Sequence, residues 1–354
     1  HAWRGPSRSI DDGALRFEGE AFEFGMVSDL DLKSRDPSDF VWRSFLQKGV
    51  LESVTGPQGD KRYKLELRQR LILASETAKR NRSMELSELV QFEGRLLAMC
   101  DYTGLIFKVD TAHPPAGQQP QVFQRWAIAD GNGEKVKPCK MEWATVKDGL
   151  LWVGSVGVEL RDPNSGEVLH RDSEWVKTID RQGRVLNLDW GRVYAALKHA
   201  ANSTAYLWHE AVHFCPRTRS WYVLPRKRSL HRRYDPVLDE TMGTNVLLIA
   251  SEDFREITTR RVGPLQPDRG FTALRKIPGT LDHFLALKVR EVGDEASTWI
   301  TVFDTDGNML LHPDVNADVD PDGFVFVDHI KFEGLEFLHD EDASRAARAA
   351  AAIP

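Results

Sequence analysis

Short apolar runs alternate with clusters of turn residues along nearly the whole chain. Phe22 to Val27, Arg62 to Leu67, Leu105 to Val109, Leu150 to Val153, Trp221 to Leu224, Val246 to Ile249 and Trp299 to Phe303 are each four to six residues long and bounded by turn signals. Runs of this length and composition predict strands. Gly104 and Gly149 each sit just before such a run, and Asp306-Gly307 joins Thr301-Val302-Phe303 to Met309-Leu310-Leu311 in the form of a hairpin. Helical periodicity is confined to Arg192 to Ala201, and the Ala/Arg-rich end, Ala343 to Pro354, reads as a frayed helix or a disordered tail. Many short strands without helical crossovers mean a sandwich, a barrel or a propeller.

A faint repeat separates these architectures. Ser87, Glu142, Glu210, Thr272 and Glu333 each lie beside an apolar run or a turn, at intervals of 55, 68, 62 and 61 residues. Intervals of that size suit four-stranded blades with long loops, and five markers suit five blades. The innermost strand of each propeller blade lines the central channel, so one oxygen-bearing residue per blade forms a ring. Three carboxylates with two further oxygen positions match the loose six-to-eight-oxygen shell of Ca²⁺ better than the octahedron of Mg²⁺. Spacing alone does not select this ring over ordinary strand-end glutamates at the surface.

Composition narrows the function classes. The chain has 354 residues, 41% of them hydrophobic, enough to bury a core. A net charge of -6 leaves no basic excess for a nucleic-acid partner, whereas small anions remain candidate ligands. Cys100, Cys139 and Cys215 are too few and too scattered for a disulfide framework or a paired-cysteine zinc site, and allow one bridge at most. No run approaches the roughly 20 apolar residues of a membrane-spanning helix. The start at His1 reads as trimmed, so the absence of an upstream signal or anchor carries little weight. The sequons Asn81-Arg82-Ser83 and Asn202-Ser203-Thr204 lean towards the secretory pathway, whether the ER/Golgi lumen or secretion.

Several motifs, in order along the chain, carry a family resemblance. Val27-Ser28-Asp29-Leu30-Asp31 with Ser34-Arg35 resembles the Ser-Asp-Leu-Asp-x-x-Ser-Arg signature of the calcium-activated nucleotidase/apyrase family, which includes the apyrases of blood-feeding insects. Met84-Glu85-Leu86-Ser87-Glu88-Leu89, Asp101-Tyr102-Thr103-Gly104, Glu142-Trp143-Ala144-Thr145-Val146-Lys147 and Glu174-Trp175-Val176-Lys177 are similar to further family motifs. So are Tyr206-Leu207-x-His209-Glu210, Leu224-Pro225-Arg226, Gly243-x-Asn245, Gly270-Phe271-Thr272 and Glu333-Gly334-Leu335-Glu336-Phe337. The resemblance spans about residues 22 to 338, implying one propeller domain there, an N-terminal extension over 1–21 and a tail over 339–354.

The resemblance implies an all-β, five-bladed propeller with central Ca²⁺ held by Ser87, Glu142, Glu210, Thr272 and Glu333. It also implies catalytic roles for Asp29, Asp31 and Asp101, and substrate contacts for Arg35, Glu88 and Arg226. The expected activity is Ca²⁺-dependent hydrolysis of GDP, UDP and, less firmly specified, ADP and triphosphates. Neither base preference nor homodimer formation is specified. A propeller that binds ligands without catalysis, and a metal-dependent hydrolase of another phosphate ester, remain as alternatives.

Two motifs are decoys. His209-Glu210-Ala211-Val212-His213 spells the His-Glu-x-x-His of zinc proteases, which needs a helix; in a strand, residues four apart lie about 13 Å from each other. Asp318-Val319-Asp320-Pro321-Asp322-Gly323 opens like an EF-hand loop but puts His329 where the bidentate glutamate belongs. No Gly-rich phosphate loop is present, so phosphate has to be held by metal and cationic side chains. Departures from the family pattern lie at Cys100-Asp101-Tyr102, where an arginine is expected in place of Tyr102, and at Glu88 for Asp and Thr272 for Ser. Val158-Glu159-Leu160 keeps only the glutamate of Lys-Glu-Trp. A cation near the phosphates is therefore expected to be missing.

Overall fold

The structure, a computed structural model, describes residues 20–111, 119–162, 165–230, 234–316 and 318–338. Five four-stranded antiparallel sheets are arranged as the blades of a propeller. From the channel outwards, blade 1 is Phe332–Phe337, Ala21–Ser28, Trp42–Thr55 and Lys61–Ser75; blade 2 is Leu86–Phe92, Arg95–Cys100, Leu105–Asp110 and Gln121–Ala127. Blade 3 is Trp143–Lys147, Leu150–Gly154, Trp175–Ile179 and Val185–Asp189; blade 4 is Tyr206–Cys215, Ser220–Ser229, Val246–Ser251 and Ile257–Arg261. Blade 5 is Arg269–Lys276, His283–Val292, Glu295–Asp304 and Val325–Asp328. The first strand of each blade contacts the first strands of both neighbours, so the channel is closed all round.

Every strand expected from the apolar runs lies inside an observed strand, and the expected helix is Gly191–Ala200. At Asp306-Gly307 the chain does turn back, with Leu310 N–H donating to Val302 O at 2.8 Å and Gly307 at φ +91°. The tail from Ala343 to Pro354 lies outside the described residues.

Closure is made by the last strand. Phe332–Phe337 pairs antiparallel with Ala21–Ser28, Phe24 opposite Phe337 and Met26 opposite Leu335, so blade 1 is built from both ends of the domain. Gly334 belongs here for a steric reason: a Cβ at this position would lie 2.6 Å from the backbone of Glu88 and Leu89 in blade 2.

A blade packs on both faces, so its middle strands are apolar nearly throughout, as in Leu96–Cys100. The buried side chains fall into five clusters, one between each pair of neighbouring blades. Between blades 3 and 4, Trp190 meets Trp143, Trp152 and Trp221 at ring centroids 5.2–5.9 Å apart, and the helix seals the cluster with Tyr194 and Leu197. Each large side chain buried this way contributes about 1.5–3 kcal/mol.

Both decoys resolve as expected. His209 and His213 lie in the strand Tyr206–Cys215, both facing buried surroundings, with His209 Nδ1 3.0 Å from Val156 O. Asp320 closes a turn by accepting the N–H groups of Asp322 and Phe324. The three cysteines are buried and free.

One polar feature opposes the fold. Lys288 is fully buried between Phe271 and Phe324, its Nζ 4.8 and 5.1 Å from their centroids, and desolvation, aided by nearby Arg269, pushes its ammonium down to about 7. The unfolded chain keeps that proton up to an ordinary 10.5. Between these values the unfolded state binds more protons, so the lysine's cost is full below pH 7 and shrinks as pH rises. Lys288→Met is expected to raise the melting temperature at pH 6.5 and to raise it less at pH 10; an equal gain at both, read by circular dichroism, would contradict this.

Candidate active site

The five sequence markers occupy equivalent positions, and a backbone irregularity puts them there. In blade 2, Leu86 pairs with Cys100 and Glu88 with Met99, leaving Ser87 without a cross-strand partner. Glu210 is left over between His209 and Ala211 in blade 4, and Thr272 between Phe271 and Ala273 in blade 5. In blade 1, Glu333 is left over between Phe332 and Gly334. In blade 3 the N–H of Glu142 donates to Gly154 O at 2.9 Å although Gly154 pairs with Trp143, again two residues against one. A β-bulge re-aims the extra side chain, and here each blade aims one towards the channel. All five residues are at most 3% exposed.

The ring is bound together by cations of the chain itself. Arg226 Nη1 lies 2.8 and 3.0 Å from the Glu210 oxygens and 2.9 Å from Glu333 Oε1, while its Nη2 reaches Glu291 at 2.7 Å. Ser87 Oγ donates to Glu333 Oε2 at 3.2 Å. Lys140 Nζ bridges Glu142 and Asp101, at 2.8 Å from the latter.

A second wall rises from the end of Ala21–Ser28. Asp29 Oδ1 accepts the N–H of Asp31 at 2.8 Å, opening the short 3₁₀ turn Asp31–Ser34. Lys331 Nζ holds Asp29 at 2.7 Å and Asp31 at 2.8 Å. Arg82 pairs with Glu85 and, at 3.2 Å, with Asp31, and its guanidinium stands 4.1 Å from the Tyr102 ring centroid. An arginine, Arg82, thus stands beside Tyr102, where the sequence led one to expect a cation to be missing. Asp101 follows directly on Arg95–Cys100; its Oδ1 is buried and has no partner among the described residues.

These walls enclose a cavity of about 790 Å³ lined by Asp29, Asp31, Asp101, Glu142, Glu210, Arg226 and Glu333, together with Lys140 and Lys331. Ser87 and Thr272 complete the ring without lining that space. Two expected substrate residues lie elsewhere. Arg35 sits on Phe40 and Trp42, 4.9 and 5.8 Å from their centroids, and donates to Asn81 Oδ1 at 2.6 Å. Glu88 turns the opposite way from its neighbour Ser87, to Arg275 at 3.0 Å and the N–H groups of Leu89 and Ala144, where it ties the inner strands of three blades together. Lys140 and Lys331 were missed, although each stands two residues before a ring glutamate, as Lys140-Met141-Glu142 and Lys331-Phe332-Glu333.

Burial dominates the electrostatics. It pushes Asp29 and Glu142 well above the usual carboxylate range and Glu210 up to about 7, against the lowering pull of Lys331, Lys140 and Arg226 respectively. Neighbouring carboxylates add to the rise in all three. Carboxylates so crowded and dry ionise together only with more positive charge close by. The donor set is all oxygen and includes hydroxyls, so the residues suit a hard cation such as Ca²⁺ and offer nothing to a thiophilic metal. A second acidic group, Asp29, Asp31 and Glu85, has oxygens within 4.8 Å of one another and could also hold an ion; Lys331 and Arg82 pair with it as Arg226 and Lys140 pair with the ring.

The sequence has counterparts in known proteins. The family model described as Apyrase matches residues 30–338. The soluble calcium-activated nucleotidase 1 of Rattus norvegicus is 36% identical over 326 residues, covering 90% of this chain and 74% of that protein. An apyrase of Phlebotomus duboscqi is 32% identical over 338 residues, with 94% and 93% covered. The apyrase apy-1 of Caenorhabditis elegans is 31% identical over 335 residues, with 93% and 86% covered.

Proposed function

The chain belongs to the apyrase family, and we propose that it is a calcium-dependent nucleotidase that removes the terminal phosphate of nucleoside diphosphates, among them GDP, UDP and ADP, and of triphosphates. The observation that carries the reading is the cavity itself: a floor of ring oxygens, with walls in which acceptors alternate with Lys140, Arg226 and Lys331. Its volume suits a nucleotide-sized ligand.

Ser87, Glu142, Glu210, Thr272 and Glu333 are the residues that would hold the ion, and Ca²⁺ would supply charge neutralisation at phosphoryl oxygens. The side chains do the rest. Arg226 and Lys331 line the cavity, Arg226 with an Nη2 hydrogen beyond the one given to Glu291 and Lys331 with its ammonium held by Asp29, Asp31 and Glu291, and their positive charge stabilises the charge that grows on the departing phosphate. Lys140 holds Asp101 by Oδ2, leaving Oδ1 as a dry acceptor with nothing to accept from. That atom orients the attacking water. Asp29, whose two oxygens are taken by the Asp31 N–H and Lys331, fixes the wall and the lysine.

Phosphate release from GDP, UDP, ADP and ATP in Ca²⁺, Mg²⁺ and EGTA tests the reading, with Asp101→Asn beside the wild type. Release confined to Ca²⁺ and a kcat lowered by about 10²–10⁴ in the variant are expected. Full turnover by Asp101→Asn would remove its role, and no release from any nucleotide would favour a binding propeller or a hydrolase of another phosphate ester.

A second reading places the ion at Asp29, Asp31 and Glu85, favoured by the proximity of their oxygens. Secretory passage is supported by the exposure of both sequon asparagines, Asn81 and Asn202. A glycosidase-sensitive mass shift after expression in a secretory host checks it, and an unshifted chain would count against it. Among the described residues no helix is long and apolar enough to cross a membrane.

A further inference from the structure

We infer that Trp208 is the platform on which the base of a bound nucleotide stacks, an inference that rests on the nucleotidase reading above and extends it to base recognition. Trp208 lies on the innermost strand of blade 4, two residues before ring residue Glu210. Its cross-strand partner is Lys227, and the two register shifts that follow leave Arg226 and Glu210, which face the phosphate end, unpaired on either side of the His209–Pro225 pair. It lines the same cavity.

The orientation of the indole decides what it can recognise. Trp208 Nε1 is buried and has no acceptor among the described residues, so the part turned to the cavity is ring carbon, not the N–H donor. Lys227 Nζ sits 5.4 Å from the ring centroid and is anchored by Asp239, which also accepts from Tyr206 Oη at 2.6 Å. Tyr234, 58% exposed at the mouth, stands 6.4 Å from the indole at 37° and 6.2 Å from Tyr206. Lys227 and Tyr234 thus flank the ring, which is half-buried and lines the cavity. Tyr102 is the third aromatic residue lining the cavity, and Arg82 lies over its ring.

A stacking platform without a hydrogen-bond edge accepts every base and ranks them by stacking area, purines above pyrimidines. The structure therefore assigns this enzyme broad base use with a purine preference set by one side chain. The resemblance to the family does not supply this residue, because Trp208 fills the open position of Tyr206-Leu207-x-His209-Glu210.

The test is equilibrium binding of an α,β-methylene analogue of GDP, of the matching UDP analogue and of inorganic pyrophosphate, in Ca²⁺, to wild type, Trp208→Phe and Trp208→Ala. Base stacking is worth about 1–3 kcal/mol, so Trp208→Ala is expected to weaken the GDP analogue about tenfold or more and the UDP analogue less. Trp208→Phe should recover most of the affinity, and pyrophosphate, which has no base, should bind all three alike. Unchanged binding of the GDP analogue to Trp208→Ala would overturn the platform, as would an equal loss for pyrophosphate, which would place the defect at the phosphate end. Phosphate release from GDP is measured on the same wild-type sample: base-dependent binding without release would support the platform while removing the nucleotidase reading.

Discussion

Glu142→Gln is expected to abolish calcium-dependent phosphate release, lowering kcat/KM by more than the roughly 10–100-fold that loss of an outer-shell partner alone costs a metal site. Glutamine keeps the shape and one oxygen but removes a charge from a position that is 2% exposed. The same substitution at Glu85 serves as the comparison. Glu85 touches Arg82, and its loss should disturb the wall while leaving calcium affinity close to wild type. Calcium titration by calorimetry distinguishes the two sites directly. If Glu85→Gln loses the ion and Glu142→Gln keeps it, the group of Asp29, Asp31 and Glu85 is the metal site and the ring is structural.

Arg226→Met should be the most destabilising single change at the site. Arg226 is the common partner of Glu210, Glu333 and Glu291, and removing one member of a buried ion pair costs about 3–5 kcal/mol because the carboxylates stay behind unpaired. A ligand that binds the folded state adds stability through its affinity. Calcium in the ring would replace part of the missing positive charge, so urea unfolding should show a larger loss in EGTA than in Ca²⁺. Arg226→Lys should rescue little, since a point ammonium does not reproduce the two-ended reach of the guanidinium, Nη1 on Glu210 and Glu333 and Nη2 on Glu291. Equal losses with and without Ca²⁺ would mean that the ion does not sit against Glu210 and Glu333.

The propeller was legible because four of the five blades are local units: short apolar runs, glycines at turns, and a repeat interval of 55 to 68 residues. The ring positions were suggested by spacing and selected only by the resemblance, and their geometry was not legible, since a bulge depends on the register of the partner strand and nothing at Ser87 or Thr272 announces it. Arg35 and Glu88 show the cost of that gap. Both lie within motifs that reach the cavity, yet Glu88 follows the bulge residue and therefore points between blades, and Arg35 is drawn onto Phe40 and Trp42. Lys140 and Lys331 were invisible for a different reason: their partners are distant in sequence, Asp101 of another blade for Lys140, whose side chain stays half exposed, and Asp29 and Asp31 at the far end of the chain for the buried Lys331. Trp208 read as an ordinary strand residue because its neighbour Tyr234 comes from a different segment.

The most direct test is to locate the ion. Anomalous difference density from crystals grown with Ca²⁺ should show a peak at the channel centre, within about 2.3–2.6 Å of oxygens from Glu142, Glu210 and Glu333. A peak between Asp29, Asp31 and Glu85, with none in the ring, would contradict the account.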